Sequence, residues 1–440
     1  MTRKTLLAGG RVLDPANNRD VTADVAIDNG VIVAVGDNLP RDGYDVVDVT
    51  GCWVTPGFVD LHTHLREPGG EGAEDVESGS KAGAAGGYTA LCAMANTNPV
   101  CDTVATAEMV HRRGQTVGLA DVFVVGAITK GQEGRELAPY GALNQSAAQV
   151  DFFSDDGIPV ADALVMRRAL QYAATFDVVI CNHSEEPALT QDAQMNEGVM
   201  SGLLGLPGWP HEAEEVMIAR DIILAHGAGA RLHVPHITTR GAVELIRIAK
   251  NLGVKLTAEV TPHHLLLTDD LVTGYDPVMK VNPPIRTNED VQALRQALID
   301  GVIDCVATDH APHPTETKDQ EWEHAPCGML GLETAFAIVH TELVKTGALE
   351  PLAAVERFTS GPAKVRHVGG HAGPIAPGHE ANLTVFDPQV TWTVDQHKLH
   401  SKARNTPYHG RKLAGKPRHT LLRGRFTLQD GAVAAAKERS

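Results

Sequence analysis

Eight short apolar runs alternate with helical stretches through most of this 440-residue chain, and no other feature constrains the fold as strongly. The runs are VDLHTHL, YTALCAMA, ADVFVVGAI, QVDFFSDD, DVVICNHS, ARLHVPHI, VKLTAEVTPHHL and VIDCVATDHAPH. Helical patterns such as VADALVMRRALQYAATF and EDVQALRQALIDG separate many of them. Alternation of strand and helix is typical of parallel sheets, so these runs predict an α/β protein with a (β/α)8 TIM barrel.

An open, doubly wound sheet would show the same alternation of strands and helices. Its dinucleotide-binding form carries a glycine-rich phosphate fingerprint directly after the first strand. No such fingerprint follows VDLHTHL in this chain. We therefore expect the barrel rather than the open sheet.

The two ends of the chain have a different texture, with alternating apolar residues and tight turns. At the N-terminal end, TLLAGGRVLD and ADVAIDNGVIVAVGD surround an Asp28-Asn29-Gly30 turn, a strong hairpin pattern. At the C-terminal end, ANLTVFDP and HTLLRGRFTLQDGAVA contain an Asp-Gly turn at Asp430. We expect both ends to form one discontinuous β-sandwich domain, residues 1–54 plus 372–440, beside a barrel of residues 55–371.

Composition and charge limit the classes of partner. The chain has 43% apolar and 21% charged residues, as an ordinary globular protein does. No apolar run approaches the roughly 18 residues that span a bilayer, and the N-terminus lacks a signal-peptide pattern, so we expect a cytoplasmic protein without a membrane partner. The net charge of −17 argues against a nucleic-acid partner. The six cysteines are scattered and form no C-x-x-C pair, which argues against disulfides and against a thiolate zinc site.

Polar residues that could hold a metal close several of the eight apolar runs. In a (β/α)8 barrel the active site lies at the carboxyl ends of the strands. His62 and His64 end the first run, and side chains two residues apart in a strand share one face. Other runs end with polar residues as well: Asp155 and Asp156, His183, His236, and Asp309 with His310. Their common placement predicts a metal centre in the mouth of the barrel.

Histidine nitrogens combined with carboxylate oxygens suit zinc. A bridging carboxylate allows two ions to lie about 3.5–4 Å apart around a shared water. Lowering the pKa of that water supplies hydroxide at physiological pH. Each residue alone has a plainer explanation, because a strand-end histidine is often structural and Asp155-Asp156-Gly157 is an ordinary turn sequence.

The order H-x-H, carboxylate, His, His, Asp over a barrel with a terminal β-sandwich resembles the amidohydrolase superfamily. Within it, the chain looks like the bacterial class I dihydroorotases, through VDLHTHLREPG, FFSDDG, HVPHIT, TPHHLLLTDD, KVNPPIR, ATDHAPH, GMLGLE and SKARNTPYHGRKLAGK. This resemblance covers nearly the whole chain. It implies reversible, zinc-dependent cyclisation of N-carbamoyl-L-aspartate to L-dihydroorotate, a step of de novo pyrimidine biosynthesis.

The resemblance also implies a set of metal ligands for two zinc ions (Zn2+) in each subunit. His62 and His64 would hold one ion, His183 and His236 the other, and Asp156 would bridge them. The spacing to the next histidine favours Asp156 over Asp155 without excluding the latter.

Asp309 would be both a ligand and the general acid/base for attack by metal-bound hydroxide. Many relatives bridge their metals with a carbamylated lysine, which FFSDDG does not supply. Lys130 is the nearest candidate, and we interpret it as a surface residue. His263 and His264 also end a run, and we expect packing or supporting roles for them.

Arg66 follows His64 on the same face, and its planar guanidinium can bind a substrate carboxylate through two hydrogen bonds. By resemblance, further residues complete the substrate pocket: Asn96, Asn282, His313, Cys327 and Gly328. The plainer role for the two asparagines is to bond turn backbone. The family usually has an aromatic residue where this chain has Cys327, and we expect a backbone contact there.

Two other functions remain open. One is another cyclic amidase, such as a hydantoinase, dihydropyrimidinase or allantoinase, although such relatives generally lack an arginine at the position of Arg66. The other is a non-catalytic dihydroorotase-like subunit that scaffolds aspartate transcarbamoylase, although such chains typically lose metal ligands that this chain keeps. For an active enzyme we expect a homodimer, with association with aspartate transcarbamoylase as a further possibility.

Overall fold

The computed structural model describes residues 4–436, and its first strands form hairpins as expected. Asn29 and Gly30 join the second and third strands with φ angles of 50° and 82°. This left-handed pair matches the twist of the flanking strands. The N-terminal strands are β1 (Thr5–Asp14), β2 (Arg19–Asp28), β3 (Val31–Gly36), β4 (Asp45–Asp48) and β5 (Trp53–Pro56).

Eight further strands occur in the eight apolar runs of the sequence. They are β6 (Phe58–Thr63), β7 (Tyr88–Ala93), β8 (Asp121–Val124), β9 (Phe152–Phe153), β10 (Val179–Cys181), and, after a small pair β11 (Met195–Asn196) and β12 (Gly208–Trp209), β13 (Arg231–Val234), β14 (Leu256–Val260) and β15 (Cys305–Val306). Strands β6, β7 and β8 form one parallel sheet, and β9, β10, β13, β14 and β15 form another. The short β11–β12 pair was not predicted from the sequence.

Strands from both ends of the chain share one sheet. The last strands are β16 (Leu383–Thr393), β17 (Lys412–Leu422), β18 (Arg425–Gln429) and β19 (Ala432–Val433). The sheet runs β19-β18-β17-β16-β5-β1-β2-β3, with β4 beside β1, and β16 pairs antiparallel with β5. Buried Leu7, Val25, Val54 and Leu383 belong to one apolar cluster on this sheet. Residues 1–3 and 437–440 of the expected terminal domain lie outside the described residues.

Helices separate the parallel strands. They are α1 (Val76–Gly86), α2 (Val104–Val117), α3 (Tyr140–Gln145), α4 (Ala163–Phe176), α5 (Val199–Leu204), α6 (His211–Ala228), α7 (Arg240–Asn251), α8 (Asn288–Ile299), α9 (Thr315–Lys318), α10 (Ala335–Val339), α11 (Pro351–Phe358) and α12 (Ser360–Val365). Helix α7 shows why such segments form: Thr239 caps its first turn, and Ala242, Val243, Ile246 and Ala249 bury one face. Within residues 4–436, no helix has both the length and the apolar character to cross a membrane.

Isolated parallel bridges connect the edge strands of the two parallel sheets, β8 with β9 and β6 with the segment after β15. Gly126, after β8, pairs with Phe153 of β9, and Thr63 of β6 pairs with His310, after β15. The backbone N–H of His64 donates to the carbonyl of His310 at 2.9 Å. The ends of β6 and β15 therefore lie side by side.

Candidate metal centre

Asp156, just after β9, lies at the centre of the histidine cluster. Its Oδ1 atom is 3.2 Å from His236 Nε2, 3.4 Å from His62 Nε2 and 3.4 Å from His183 Nδ1. Its Oδ2 atom is 3.4 Å from His64 Nε2. All five side chains are buried. One carboxylate therefore faces four histidines from the ends of three strands, β6, β10 and β13.

The neighbouring carboxylate, Asp155, faces away from these histidines. It accepts hydrogen bonds from the backbone N–H groups of Ile128 at 2.7 Å and Thr129 at 3.1 Å, and from the Thr129 hydroxyl. Burial raises the pKa of Asp155 to about 6, although these hydrogen bonds act in the opposite direction. Asp155 thus anchors the loop after β8, and Asp156 is the residue of the pair that meets the histidines.

Asp309, after β15, lies close to two of these histidines, His62 and His64. Its Oδ1 atom lies 3.1 Å from His64 Nε2 and 3.6 Å from His62 Nε2. Burial alone would raise the pKa of Asp309, but the hydrogen bond from His64 and the charge of His62 hold it below the ordinary value. Asp309 is therefore a carboxylate at neutral pH, a state in which it can accept a proton.

The cluster carries an excess of negative charge. Burial would lower the pKa of His62, but Asp156, Glu259 and Asp309 outweigh it and raise that pKa well above 6.5. In the same way, Asp156 and Glu185 outweigh burial and raise the pKa of His183 to about 10. Divalent cations offset such an excess and compete with the protons for the same nitrogens.

The donor atoms fit a pair of metal ions. The sets His62, His64, Asp156 and Asp156, His183, His236 each bring three ligand atoms within 4.8 Å of one another. The Nε2 atom of His62 is buried without a hydrogen-bond partner among the described residues. Two imidazole nitrogens, His183 Nδ1 and His236 Nε2, lie only 3.1 Å apart. Imidazole and carboxylate donors in this arrangement suit zinc, with Asp156 common to both sets.

Glu259 of β14 supports His62 from behind. Its Oε1 atom lies 3.0 Å from His62 Nδ1, and its Oε2 atom lies 3.0 Å from His233 Nε2. Burial would raise the pKa of Glu259, but these histidines lower it to about 2. Neither Glu259 nor His233 was singled out in the sequence. The available sign was a carboxylate inside the apolar run LTAEV, because a buried charge requires a partner.

The two asparagines predicted for the substrate pocket also contact the residues around the metal centre. Asn96 Oδ1 lies 2.9 Å from His64 Nδ1. Asn282 Nδ2 donates to Glu185 Oε2 at 3.1 Å, and the same oxygen lies 3.1 Å from His183 Nε2. Glu185 was also missed, and its position two residues beyond a strand-end histidine was the one sequence sign of its role.

Arg66 and His313 lie together beside the cluster. Arg66 Nε donates to the Pro312 carbonyl at 3.3 Å, and Arg66 Nη2 lies 3.5 Å from His313 Nε2. Burial lowers the pKa of the Arg66 guanidinium below its ordinary value. Burial and the charge of Arg66 lower the pKa of His313 to about 3. A partly buried guanidinium beside a neutral imidazole favours an anionic ligand.

The backbone at Cys327 and Gly328 closes this side of the pocket. His313 Nε2 donates to the Cys327 carbonyl at 2.7 Å, and the Gly328 N–H donates to the Lys280 carbonyl at 3.0 Å. A Cβ atom at position 328 would lie 2.8 Å from His313 Nε2 and from the Ala311 carbonyl oxygen. Glycine is therefore required for this close approach.

Three of the predicted site residues have left-handed backbone conformations. The φ angles are 59° for Arg66, 30° for His236 and 45° for Asp309. Each costs on the order of 1 kcal/mol in a residue other than glycine, and such residues cluster at functional sites.

The remaining candidates lie outside the cluster. Lys130 is exposed and pairs with Glu136, as expected for a surface residue. His263 and His264 are buried, and His264 contacts the Thr261 hydroxyl and the Pro283 carbonyl. Neither histidine belongs to the two ligand sets around Asp156.

The fold and the inward-facing histidines and carboxylates define a member of the amidohydrolase superfamily. In overall structure the chain is similar to the L-hydantoinase (dihydropyrimidinase) from Arthrobacter aurescens, with a TM-score of 0.88, 24% identity, and coverage of 99% of this chain and 98% of that one. It is also similar to a D-hydantoinase from Thermus sp., with a TM-score of 0.85 and 24% identity over 98% of this chain and 97% of that one. At these identities the likeness concerns the fold.

Sequence comparison narrows the class to one family. Residues 51–242 match the dihydro-orotase-like family model. The dihydroorotase of Streptomyces coelicolor is 53% identical over 98% of this chain and 99% of its own length. The dihydroorotase of Mycobacterium tuberculosis is 51% identical over 94% of this chain and 96% of its own length. The chain belongs to the dihydroorotase family.

Proposed function

We propose that this protein catalyses the reversible, zinc-dependent cyclisation of N-carbamoyl-L-aspartate to L-dihydroorotate, a step of de novo pyrimidine biosynthesis. The observation that carries this proposal is the guanidinium of Arg66 beside the buried histidine–carboxylate cluster. A carboxylate on the substrate ring gives that cation a partner, whereas an uncharged cyclic amide leaves it unpaired. Full-length relatives named dihydroorotase support the same activity.

Six residues would hold two zinc ions in this proposal: His62, His64, Asp156, His183, His236 and Asp309. When bound, zinc lowers the pKa of a water and polarises the carbonyl under attack. Asp156 lies between both histidine pairs, so it would serve as the bridging ligand. Glu259 would orient His62 by contacting its Nδ1 atom, and Asn96 would orient His64 in the same way.

Asp309 would carry the proton. As a carboxylate at neutral pH, it can accept the proton of the water that adds to the ring amide carbonyl. It can then donate that proton to the ring nitrogen as the C–N bond breaks, which produces the carbamoyl NH2 group. In the cyclisation direction the same steps run in reverse.

The remaining pocket residues would orient the substrate. Arg66 would bind its carboxylate through two parallel hydrogen bonds. Because Asn96 uses its Oδ1 atom on His64, its Nδ2 group is the atom that can donate to that carboxylate. His313, held by the Cys327 carbonyl, and the Gly328 backbone would close the pocket beside Arg66.

We also infer that the parallel strands close into a complete (β/α)8 barrel over residues 55–371. The bridges between Gly126 and Phe153 and between Thr63 and His310 support this closure. The terminal segments, 1–54 plus 372–440, would form the β-sandwich domain, supported by the shared sheet of β1–β5 and β16–β19. The homodimer, the cytoplasmic location and association with aspartate transcarbamoylase stay predictions from the sequence.

The deciding experiment compares ring-opening rates of the zinc-loaded protein on L-dihydroorotate, dihydrouracil, hydantoin and allantoin under identical conditions. A strong preference for L-dihydroorotate is expected. Activity confined to the uncharged rings would refute L-dihydroorotate as the substrate but would still agree with the proposed metal-dependent mechanism. Absence of activity on all four would favour a scaffold subunit or dependence on a partner.

A further inference from the structure

We propose that Glu185 is a positioning residue that couples the metal-binding and substrate-binding halves of the site by holding His183 and Asn282 on one carboxylate oxygen. Its Oε2 atom lies 3.1 Å from His183 Nε2 and 3.1 Å from Asn282 Nδ2. Its Oε1 atom accepts a hydrogen bond from the Thr190 hydroxyl. The part of this proposal that concerns substrate binding rests on the proposed function, whereas the part that concerns metal binding does not.

The contact with His183 determines which ring nitrogen is available to a metal. Because Glu185 accepts the proton of His183 Nε2, the Nδ1 proton is the one that a metal ion would displace, and the freed Nδ1 lone pair would bind the metal. That Nδ1 atom lies 3.4 Å from Asp156 Oδ1 and 3.1 Å from His236 Nε2, inside the ligand set. A carboxylate that accepts a hydrogen bond from Nε2 also makes Nδ1 a stronger metal ligand.

The contact with Asn282 determines which amide atom faces a ligand. The Nδ2 group donates to Glu185, so the amide presents its Oδ1 atom as an acceptor. This Oδ1 atom is buried and has no hydrogen-bond partner among the described residues. A buried acceptor without a partner is costly, and an N–H group of the substrate ring would satisfy it. Asn282 thereby becomes an acceptor for ring nitrogen, in contrast to Asn96, which offers a donor.

The backbone keeps Glu185 in this position. Its own N–H donates to the His183 carbonyl at 3.0 Å, and the N–H of Glu186 donates to the Ala213 carbonyl at 2.9 Å. The Glu185 side chain is only 14% exposed. The turn therefore holds the carboxylate between strand β10 and the segment that carries Asn282.

The test measures two quantities on Glu185→Ala, Glu185→Gln, Asn282→Ala and a matched control, Glu186→Gln. Glu186 is the adjacent carboxylate, and its Oε1 atom accepts from the Ala188 N–H. The first quantity is zinc affinity of the apo protein, by competition with a chromophoric chelator. The second is KM and kcat for L-dihydroorotate at saturating zinc.

Both Glu185 variants should bind zinc about 10- to 100-fold more weakly, because Glu185→Ala removes the hydrogen-bond acceptor at His183 and Glu185→Gln removes its negative charge. Glu185→Gln keeps an acceptor for Asn282, so its KM should stay near that of the wild type. Glu185→Ala should raise KM about tenfold, the loss of one hydrogen bond of about 1.4 kcal/mol. Asn282→Ala should raise KM and leave zinc affinity unchanged.

The proposal is overturned if Glu185→Ala matches Glu186→Gln in zinc affinity and KM. It is also overturned if Glu185→Gln and Glu185→Ala raise KM equally, since Asn282 would then not depend on the acceptor. If Glu185→Ala fails to fold, the zinc affinities of Glu185→Gln and Glu186→Gln are compared instead, and equal affinities would overturn the role of Glu185 at His183. A wild type that leaves L-dihydroorotate intact would refute the proposed function, whereas weakened zinc binding in the variants would still support the role at His183.

Discussion

The Oε1 atom of Glu259 lies 3.0 Å from the Nδ1 atom of His62, so a charge inside strand β14 orients a histidine at the end of β6. The other oxygen of the same carboxylate lies 3.0 Å from His233 Nε2. The three side chains are almost completely buried. Orientation of His62 thus depends on a residue almost 200 positions away in the sequence, which only the fold brings close.

Replacing Glu259 with alanine should weaken both zinc binding and folding. Zinc affinity should fall about 10- to 100-fold because His62 loses its partner. The free energy of unfolding should fall by about 3 kcal/mol because His62 and His233 lose a buried charged partner. Chelator competition and urea denaturation measure the two effects. Glu289→Ala, at an 82% exposed side chain, is the control and should change neither.

The adjacent carboxylates Asp155 and Asp156 should separate metal binding from stability. Loss of a residue that only supports a metal ligand lowers affinity roughly 10- to 100-fold. Asp156→Asn should lower zinc affinity by more than this, because Asp156 itself faces both histidine pairs. Asp155→Asn should keep zinc and lower the free energy of unfolding by about 1–3 kcal/mol, through the backbone groups of Ile128 and Thr129. Equal zinc loss in both variants would contradict this assignment.

Asp309→Asn should retain zinc and lose most turnover. The amide cannot accept the proton that the carboxylate takes, and general acid–base catalysis contributes about 100- to 10,000-fold. Metal analysis and steady-state kinetics on L-dihydroorotate check the two halves of this expectation. A variant with a near-normal rate would exclude Asp309 as the proton carrier.

Arg66→Ala should lower kcat/KM for L-dihydroorotate by about 10- to 150-fold, the loss of roughly 1.5–3 kcal/mol of charge-assisted hydrogen bonding. Arg66→Lys should restore only part of this loss, because an ammonium cannot form the paired contacts of a guanidinium. Zinc affinity should stay unchanged in both variants. The exposed Arg112→Ala serves as the control, and an effect as large as that of Arg66→Ala would argue against a specific contact.

Asp121 should give a pH-dependent contribution to stability that is independent of the metal site. Its carboxylate binds the Arg423 guanidinium, with Oδ1 2.8 Å from Nη2, and His371, with Oδ2 2.9 Å from Nε2. Burial alone would raise the pKa of Asp121, but these partners hold it below 3.8. The stabilisation is therefore complete above the unfolded pKa of about 3.9 and is lost as the pH falls through the lower folded pKa.

Asp121→Asn should accordingly reduce the free energy of unfolding by about 1 kcal/mol at pH 7, a value discounted for the partial exposure of Arg423. The difference from the wild type should shrink below pH 4. Urea denaturation across this pH range measures it. Asp177→Asn, at an 80% exposed side chain, should show little difference at either pH.

The local pattern of the sequence was sufficient to locate the strands, the main helices and the strand-end residues. Alternation of apolar runs and helical periods is a local property, and each of the eight runs contains a strand. The same is true of His62 and His64, whose spacing of two places them on one face. The conformation of the Asp28-Asn29-Gly30 turn also follows from local preference.

Contacts between distant segments were decided by the tertiary structure alone. Asp155 and Asp156 are neighbours with the same chemistry, and only the path of the loop after β8 shows which carboxylate meets the histidines. The apolar run LTAEV indicates only that Glu259 needs a partner, and the fold shows that this partner is His62. Likewise, the link from His183 through Glu185 to Asn282 joins segments about 100 residues apart. Periodicity reports which face a residue occupies, whereas its partner across the site depends on how the strands are arranged in space.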